Sequence, residues 1–256
     1  MRGALIFFDI DGTICRYGEK PPGSVAKAFR SLHEKGNTAF LCTGRGEADI
    51  PDEIRNLGFE GVISSMGADV RIRGRLLRHR YIPAVLLKET AAALLEHRIA
   101  AMFTGQYHVF RTENLSPTPG QIPEIHSADD LFRYGVVPQI SSLDLEYGDI
   151  RKLEPCLPAI RKHSELVEYN PNSGQTELNG VNKSKAIHFV CKLPGYRGRG
   201  TYALGDSQND LEMLRSVDVG IAMGDAVREV AACADFVTER LEDDGLQSAL
   251  EHFGLA

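Results

Sequence analysis

Long apolar runs are missing from this sequence. Stretches such as Ala4–Phe8 and Ala91–Leu95 stop at five residues, against the ~20 that a membrane-spanning helix needs. No bilayer-crossing segment and no membrane partner are therefore expected. The opening Met1-Arg2-Gly3 leads straight into one such run and then Asp9. It offers neither the ~7–15-residue apolar region nor the small-residue cleavage site of a secretory leader, so a cytoplasmic location is expected. Cysteine is scarce: Cys15, Cys42, Cys156, Cys191 and Cys233 are odd in number and far apart. No pair has zinc-ligand or redox spacing, which leaves reduced packing thiols as the expectation. A basic surplus is lacking too, since 29 Lys and Arg against 35 Asp and Glu leave a net charge of −6. That balance argues against a nucleic-acid partner. One local exception, Arg71, Arg73, Arg75, Arg78, His79 and Arg80, reads first as a solvated hairpin and second as an attractor of anionic substrates. Internal repeats and low-complexity tracts are absent, and 256 residues of ordinary composition have room for one or two domains with a buried core.

What is present alternates between two local styles. Ala4–Phe8 reads as a strand buried on both faces. Ser24 is placed to cap a helix with Val25, Ala28, Phe29 and Leu32 on one face and Gly36 at its end. Thr38–Cys42 is a second strand, Ile54 and Leu57 mark a helix closed by Gly58, and Val62–Ser64 is a third strand. Short links of this kind imply right-handed crossovers and a parallel sheet. From Pro83 the style changes. A helix over Pro83–His97 precedes strands Ala101–Thr104 and Tyr107–Arg111, whose two-residue gap suggests a hairpin. A loop with Pro117, Pro119 and Pro123, a short helix near Ser127–Tyr134 and further short strands follow. The first style returns with a helix over Lys183–Cys191, a strand Thr201–Leu204, a helix around Leu211–Leu214, strands Val219–Met223 and Phe236–Val237, and a helix Gly245–Phe253. The expected fold is α/β: a doubly wound, mostly parallel, Rossmann-like sheet from residues 1–82 and 179–256, interrupted by an α+β unit at 83–178.

In open α/β sheets, sites form beyond the carboxyl ends of strands. Three such ends read Asp9-Ile10-Asp11-Gly12-Thr13, Thr43-Gly44-Arg45 and Gly205-Asp206-Ser207-Gln208-Asn209-Asp210. Carboxylates gathered in one crevice repel one another, and a hard divalent cation is the usual compensation; all-oxygen ligands favour Mg²⁺. Mg²⁺ keeps positions for substrate oxygens and so points to a phosphate. No G-x-x-x-x-G-K-[ST] loop exists, which excludes a nucleotide P-loop and leaves a carboxylate nucleophile as the economical mechanism. Each piece alone has a plainer reading: Asp11-Gly12 as a turn, Thr43-Gly44-Arg45 as a helix entry, Asp206 and Asp210 as a helix cap and first-turn acid. In order, at successive strand ends, they point to one site.

These residues resemble the haloacid dehalogenase (HAD) superfamily phosphatases, in particular the Cof-type branch with an α/β cap between its second and third motifs. Phe8-Asp9-Ile10-Asp11-Gly12-Thr13 is similar to the first motif and Leu41-Cys42-Thr43-Gly44-Arg45 to the second. Gly180-Val181-Asn182-Lys183-Ser184-Lys185-Ala186 resembles the third, Gly205–Asp210 the fourth, and Ala222-Met223-Gly224-Asp225-Ala226 the segment after it. The resemblance implies Asp9 as nucleophile, forming an aspartyl-phosphate, and Asp11 as general acid and base, the latter worth ~10²–10⁴-fold. It implies Lys183 as the cation that offsets charge repulsion at the phosphate. It also implies metal ligation by Asp9, by the backbone carbonyl of Asp11 and by Asp206, with Asp210 orienting the site from the following helix. Thr43 and Gly44 would contact the phosphoryl group, and Arg45 and Asn209 complete the substrate contacts. Lys185, two residues beyond Lys183, faces another way on a helix and is expected in solvent. Met66-Gly67-Ala68 and Gly224-Asp225-Ala226 stand where relatives commonly carry Asn-Gly-Ala and Gly-Asn-Ala.

The implied activity is Mg²⁺-dependent hydrolysis of small phosphorylated metabolites, sugar phosphates first. The cap would close over the crevice, with Tyr107, His108 and Arg111 as candidate substrate contacts. A sugar phosphomutase uses the same Asp pair and is the alternative. A metal-dependent glycosyltransferase would not need Thr43, Lys183 and Asp206 together, and a phospho-Asp sensor would not need Asp11. The oligomeric state is left open.

Overall fold

The computed structural model describes residues 3–113, 122–135 and 138–256. Pro117 and Pro119 of the expected proline-rich loop lie outside these residues. The first strand, β1 (Leu5–Phe8), is buried along its whole length. Ile6 and Phe8 face a core shared with the helices Gly23–Glu34 and Gly245–His252. Leu5 and Phe7 face a second core with the helix Lys183–Lys192. Two covered faces explain why the run is apolar without alternation. β2 (Thr38–Cys42) and β3 (Gly61–Ser64) follow, then the antiparallel pair β4 (Asp69–Ile72) and β5 (Arg75–Arg78). The basic run thus forms a hairpin, turning at Arg73 and Gly74, both with positive φ, as a tight two-residue turn requires.

The helix Gly23–Glu34 buries Val25, Ala28, Phe29 and Leu32 as its spacing predicts. Ser24 does not cap it. The chain enters the helix two residues earlier, at Pro22, whose carbonyl takes the first helical bond from the Val25 amide. The fixed φ of proline preorganises that entry without a side-chain cap.

The second sheet comprises β6 (Ala100–Gly105), β7 (Val109–Thr112), β8 (Glu124–Ile125), β9 (Ile140–Glu146), β10 (Ser164–Asn170) and β11 (Ser173–Leu178), in the order β10-β11-β9-β6-β7-β8. Its pairs are antiparallel apart from β7 with β8. The β6–β7 hairpin exists, with a three-residue connection, Gln106–His108, in place of the expected two. The helix Ala84–Glu96 covers the sheet through Leu87, Ala91 and Leu94, which share a core with Phe103, Ile140, Leu143 and Leu145. β12 (Thr201–Gly205), β13 (Val219–Ala222) and β14 (Phe236–Val237) complete the first sheet, ordered β14-β13-β12-β1-β2-β3-β4-β5. From β14 to β3 every neighbour is parallel. Sheet order therefore sets β1 between β12 and β2, with their carboxyl ends side by side. No helix among the described residues is long and apolar enough to cross a membrane.

Candidate active site

Asp9 leaves the end of β1, and its amide donates to the Leu204 carbonyl of β12 (3.1 Å). Its carboxylate lies beneath the surface, only 4% exposed. Lys183 is the first residue of its helix, where the Asn182 side chain caps by accepting from the Lys185 amide (2.8 Å). Fully buried, the Lys183 ammonium donates to Asp9 Oδ1 (2.7 Å), Asp210 Oδ1 (2.7 Å) and Asn209 Oδ1 (3.1 Å). These three bonds use all its protons. Lys185 is exposed, as the helical spacing requires. Burial alone would pull the Lys183 ammonium down, but Asp210 and Asp9 outweigh it and hold it well above the ordinary lysine range.

The loop after β12 is built by a capping box. Ser207 is the cap, and Asp210 Oδ2 accepts from the amides of Asp206 and Ser207 (3.1 Å each). The plainer sequence reading of Asp206 as the cap is thereby corrected: Asp206 is one residue too early and points elsewhere. Its Oδ1 is buried with no hydrogen-bond partner. Gly12, at φ +85°, sits against this carboxylate, and a Cβ there would collide with Asp206 Oδ2. Glycine is thus required twice, by conformation and by room. Burial, then Asp210 and Asp9, push the Asp206 carboxyl up to about 8. Burial likewise pushes Asp9 up to about 7; Lys183 opposes this, and Asp210 and Asp11 add to it.

Asp9, Asp206 and Asp210 each bring one carboxylate oxygen within 4.8 Å of the others. An all-oxygen cluster with strained ionisation and one orphaned oxygen fits a hard divalent cation. Asp11 is not part of that cluster. Its two oxygens accept from Arg45 Nε (2.8 Å) and Nη2 (2.6 Å) in a bidentate fork. Arg45 also reaches the Asp49 carbonyl (3.3 Å) and carries the Tyr17 ring 5.0 Å from its guanidinium carbon. Thr43 Oγ1 accepts from the Arg45 amide (3.1 Å), so its own proton is available to a ligand. Of the departures from the resemblance, Asp225 pairs with Arg16, which also grips Glu242. Met66 is buried in a left-handed turn (φ 56°) before Gly67.

A cavity of about 660 Å³ lies between the two sheets, with Asp9, Asp11, Thr43, Gly44, Arg45, Asp206 and Asn209 in its lining. The opposite wall comes from β9, β10 and β11, a contribution that sequence reasoning missed. Register explains it: Glu124, Arg111, Met102, Asp144 and Gln175 stand opposite one another across β8, β7, β6, β9 and β11. Met102, Asp144 and Gln175 form the part of that row that reaches the cavity. Arg111 stands toward the sheet edge, paired with Glu124, while His108 stacks on Phe110 and Tyr134, and Tyr107 is 65% exposed. None of these three lines the cavity; from the same row, Met102 on the neighbouring strand and Asp144 and Gln175 beyond it do. Gln175 ties the wall down, since its Nε2 donates to the Gly44 carbonyl (2.9 Å) and its Oε1 accepts from the Tyr169 hydroxyl (2.5 Å). A Cβ on Gly44 would collide with Gln175 Oε1. The only signals in sequence were polar residues interrupting apolar strands, such as Asp144 in Ile-Ser-Ser-Leu-Asp-Leu-Glu.

A doubly wound sheet with a buried lysine among carboxylates at adjacent strand ends defines an acid-rich enzyme site. The chain belongs to the haloacid dehalogenase-like hydrolases, whose family profile matches residues 6–250, and within that family it is a phosphatase. It is 30% identical over 265 residues to YkrA of Bacillus subtilis, a protein named as a phosphatase, covering 100% of this chain and 99% of that one. It is 26% identical over 255 residues to YcsE of the same organism, named as a phosphatase of 5-amino-6-(5-phospho-D-ribitylamino)uracil, over 98% and 96% of the two chains. Among solved structures, that of BT4131, a HAD subclass IIB sugar phosphatase, superposes with a TM-score of 0.83 at 26% identity. That match covers 99% of this chain and 100% of the other.

Proposed function

We propose that the chain hydrolyses small phosphorylated metabolites, sugar phosphates foremost, in a Mg²⁺-dependent reaction through an aspartyl-phosphate on Asp9. In this reading residues 83–178 act as the cap over a core formed by 1–82 and 179–256. The observation that carries it is the Asp9–Lys183 pair (2.7 Å), whose Asp9 lines the cavity between the sheets, with the orphaned Asp206 oxygen in the same cluster.

The phosphate of the substrate enters against Thr43, whose hydroxyl proton is left over after its oxygen accepts the Arg45 amide. Lys183 offsets the repulsion between the phosphate and Asp9 while keeping the nucleophile ionised and oriented by one oxygen. The other oxygen of Asp9 attacks phosphorus. Asp11 protonates the departing alcohol and then takes a proton from the water that hydrolyses the intermediate. Arg45 grips both oxygens of Asp11 in this structure, so Asp11 acts as the acid only after it leaves that fork and takes up a proton from solvent. Asp9 and Asp206, the Asp11 carbonyl and the Asp210 side of the loop would hold Mg²⁺. When bound, the cation neutralises carboxylate charge and polarises phosphoryl oxygens.

The test is inorganic phosphate release from a panel of sugar phosphates and nucleotides, with and without EDTA, and with Asp9→Asn as control. Release that requires both metal and Asp9 is expected. A phosphomutase would return an isomeric phosphate ester instead, and release that survives in Asp9→Asn would remove the proposed nucleophile.

A further inference from the structure

On the phosphatase reading the wall contributed by β9 to β11 is where the alcohol half of a substrate would lie, and the charges on that wall are one-sided. Asp144 projects from β9 into the cavity, and Glu146 lies further along the same strand. No Lys, Arg or His from the second sheet is among the described residues of the lining. The two arginines that reach the cavity from the other side are engaged. Arg45 holds Asp11 and Asp49, and Arg16 holds Asp225 and Glu242. Lys183 is buried outside the lining, saturated by Asp9, Asp210 and Asn209. The wall's other polar side chains in the lining are the hydroxyl and amide functions of Tyr169, Asn170, Ser173 and Gln175.

We infer that Asp144 is a specificity-determining residue, selecting phosphate monoesters whose leaving alcohol presents an ammonium or a hydroxyl to it and rejecting those that bring a second anion. The inference rests on the phosphatase reading and names its substrate class. An ammonium beside Asp144 gives a charge-assisted bond. A hydroxyl gives an ordinary bond. A carboxylate or second phosphate meets only the arginines Arg16 and Arg45, each already paired with two acids, and an anion left without a free cation is disfavoured. Asp144 is already under strain of that sign: burial, then the nearby charges of Asp49 and Asp11, push its carboxyl up to about 7, against the opposing charge of Arg45 and a hydrogen bond with Gln175. A further negative group adds to that strain and a positive one relieves it.

Three probes share a six-carbon chain and a 6-phosphate and differ in charge: glucosamine 6-phosphate, glucose 6-phosphate and 6-phosphogluconate. The full chain with Mg²⁺ should rank their kcat/KM in that order, with about 100-fold between first and last, as expected for a charged partner gained against one left unpaired. Asp144→Asn should compress that span to about 10-fold or less, and Asp144→Glu should keep the ranking. Each ratio is taken within one enzyme, so any loss of folded protein cancels. A wild-type preference for 6-phosphogluconate, or a span unchanged in Asp144→Asn, would overturn the inference while leaving the phosphatase reading intact. Failure of the wild type to release phosphate from all three and from p-nitrophenyl phosphate would overturn the reading itself, and the inference with it.

Discussion

Replacing Asp206 by Asn should make the metal-free protein more stable while removing its response to Mg²⁺. In the folded chain the Asp206 carboxyl is pushed from 3.8 up to about 8, by burial first and by Asp210 and Asp9 next. In the unfolded chain it returns to its ordinary value. The folded state therefore binds this proton more tightly, and the group's contribution is fully present below pH ~4 and lost as pH rises toward about 8. The slope is about 1.4 kcal/mol per pH unit. At pH 7 the accumulated difference is about 4 kcal/mol, and water entering the cavity lowers the expected effect to about 2–3 kcal/mol. Asparagine has nearly the same shape and no charge to lose. Urea unfolding in EDTA should show Asp206→Asn more stable than wild type by that amount at pH 7 and by less than about 1 kcal/mol at pH 4.5. Saturating Mg²⁺ at about 100 times its Kd should stabilise the wild type by about 2.7 kcal/mol and the variant by far less. A variant no more stable than wild type at pH 7 in EDTA, or a gap equally large at pH 4.5, would refute the reasoning.

Lys183→Met leaves Asp9 and Asp210 buried without their shared cation, so thermal unfolding should report a loss of about 3–5 kcal/mol together with loss of turnover; a variant as stable as wild type contradicts the three-bond geometry. Gln175→Ala leaves the Gly44 carbonyl and the Tyr169 hydroxyl without their partner. It should lower kcat/KM by roughly 5–100-fold, the equivalent of about 1–3 kcal/mol, and weaken product inhibition by inorganic phosphate, because the Gly44 peptide lies next to Thr43. His163, buried against Thr90 Oγ1 (2.9 Å) and Ser164 Oγ (2.7 Å), is pulled from 6.5 down to about 4 by burial. Its neutral form stabilises the fold above pH 6.5, and that contribution is lost as pH falls toward 4. In His163→Gln the stability slope between those limits should flatten by about 2–3 kcal/mol, with unfolding midpoints at pH 4.5 and 7 as the check.

The core sheet was legible because its signals are local. β1 and β2 are short apolar runs ended by turn residues, and Thr38–Cys42 and Phe236–Val237 coincide with their expected bounds. The carboxylates were expected together because parallel strands deliver their carboxyl ends to one edge, whatever the details of packing; Lys183, at the start of a helix, was picked out only by the resemblance of its segment to a family motif. The cap-like wall was not legible. Which residue of an antiparallel strand faces the crevice depends on register across several strands, and register is settled by pairs distant in sequence. Arg111 and Asp144 share one cross-strand row, yet one ends in a pair with Glu124 and the other lines the cavity.

The sequence by itself determined the doubly wound architecture and the run of acid and hydroxyl residues at its strand ends, since each follows from periodicity or from a short segment, while Lys183 was singled out only by the resemblance of its segment to a family motif. The tertiary structure alone decided that Arg45 holds Asp11, that the Asp206 oxygen is left without a partner, and that Asp144 and Gln175 close the far wall. Those outcomes depend on contacts between segments as much as 131 residues apart, and no local pattern encodes which of many polar side chains such contacts will satisfy.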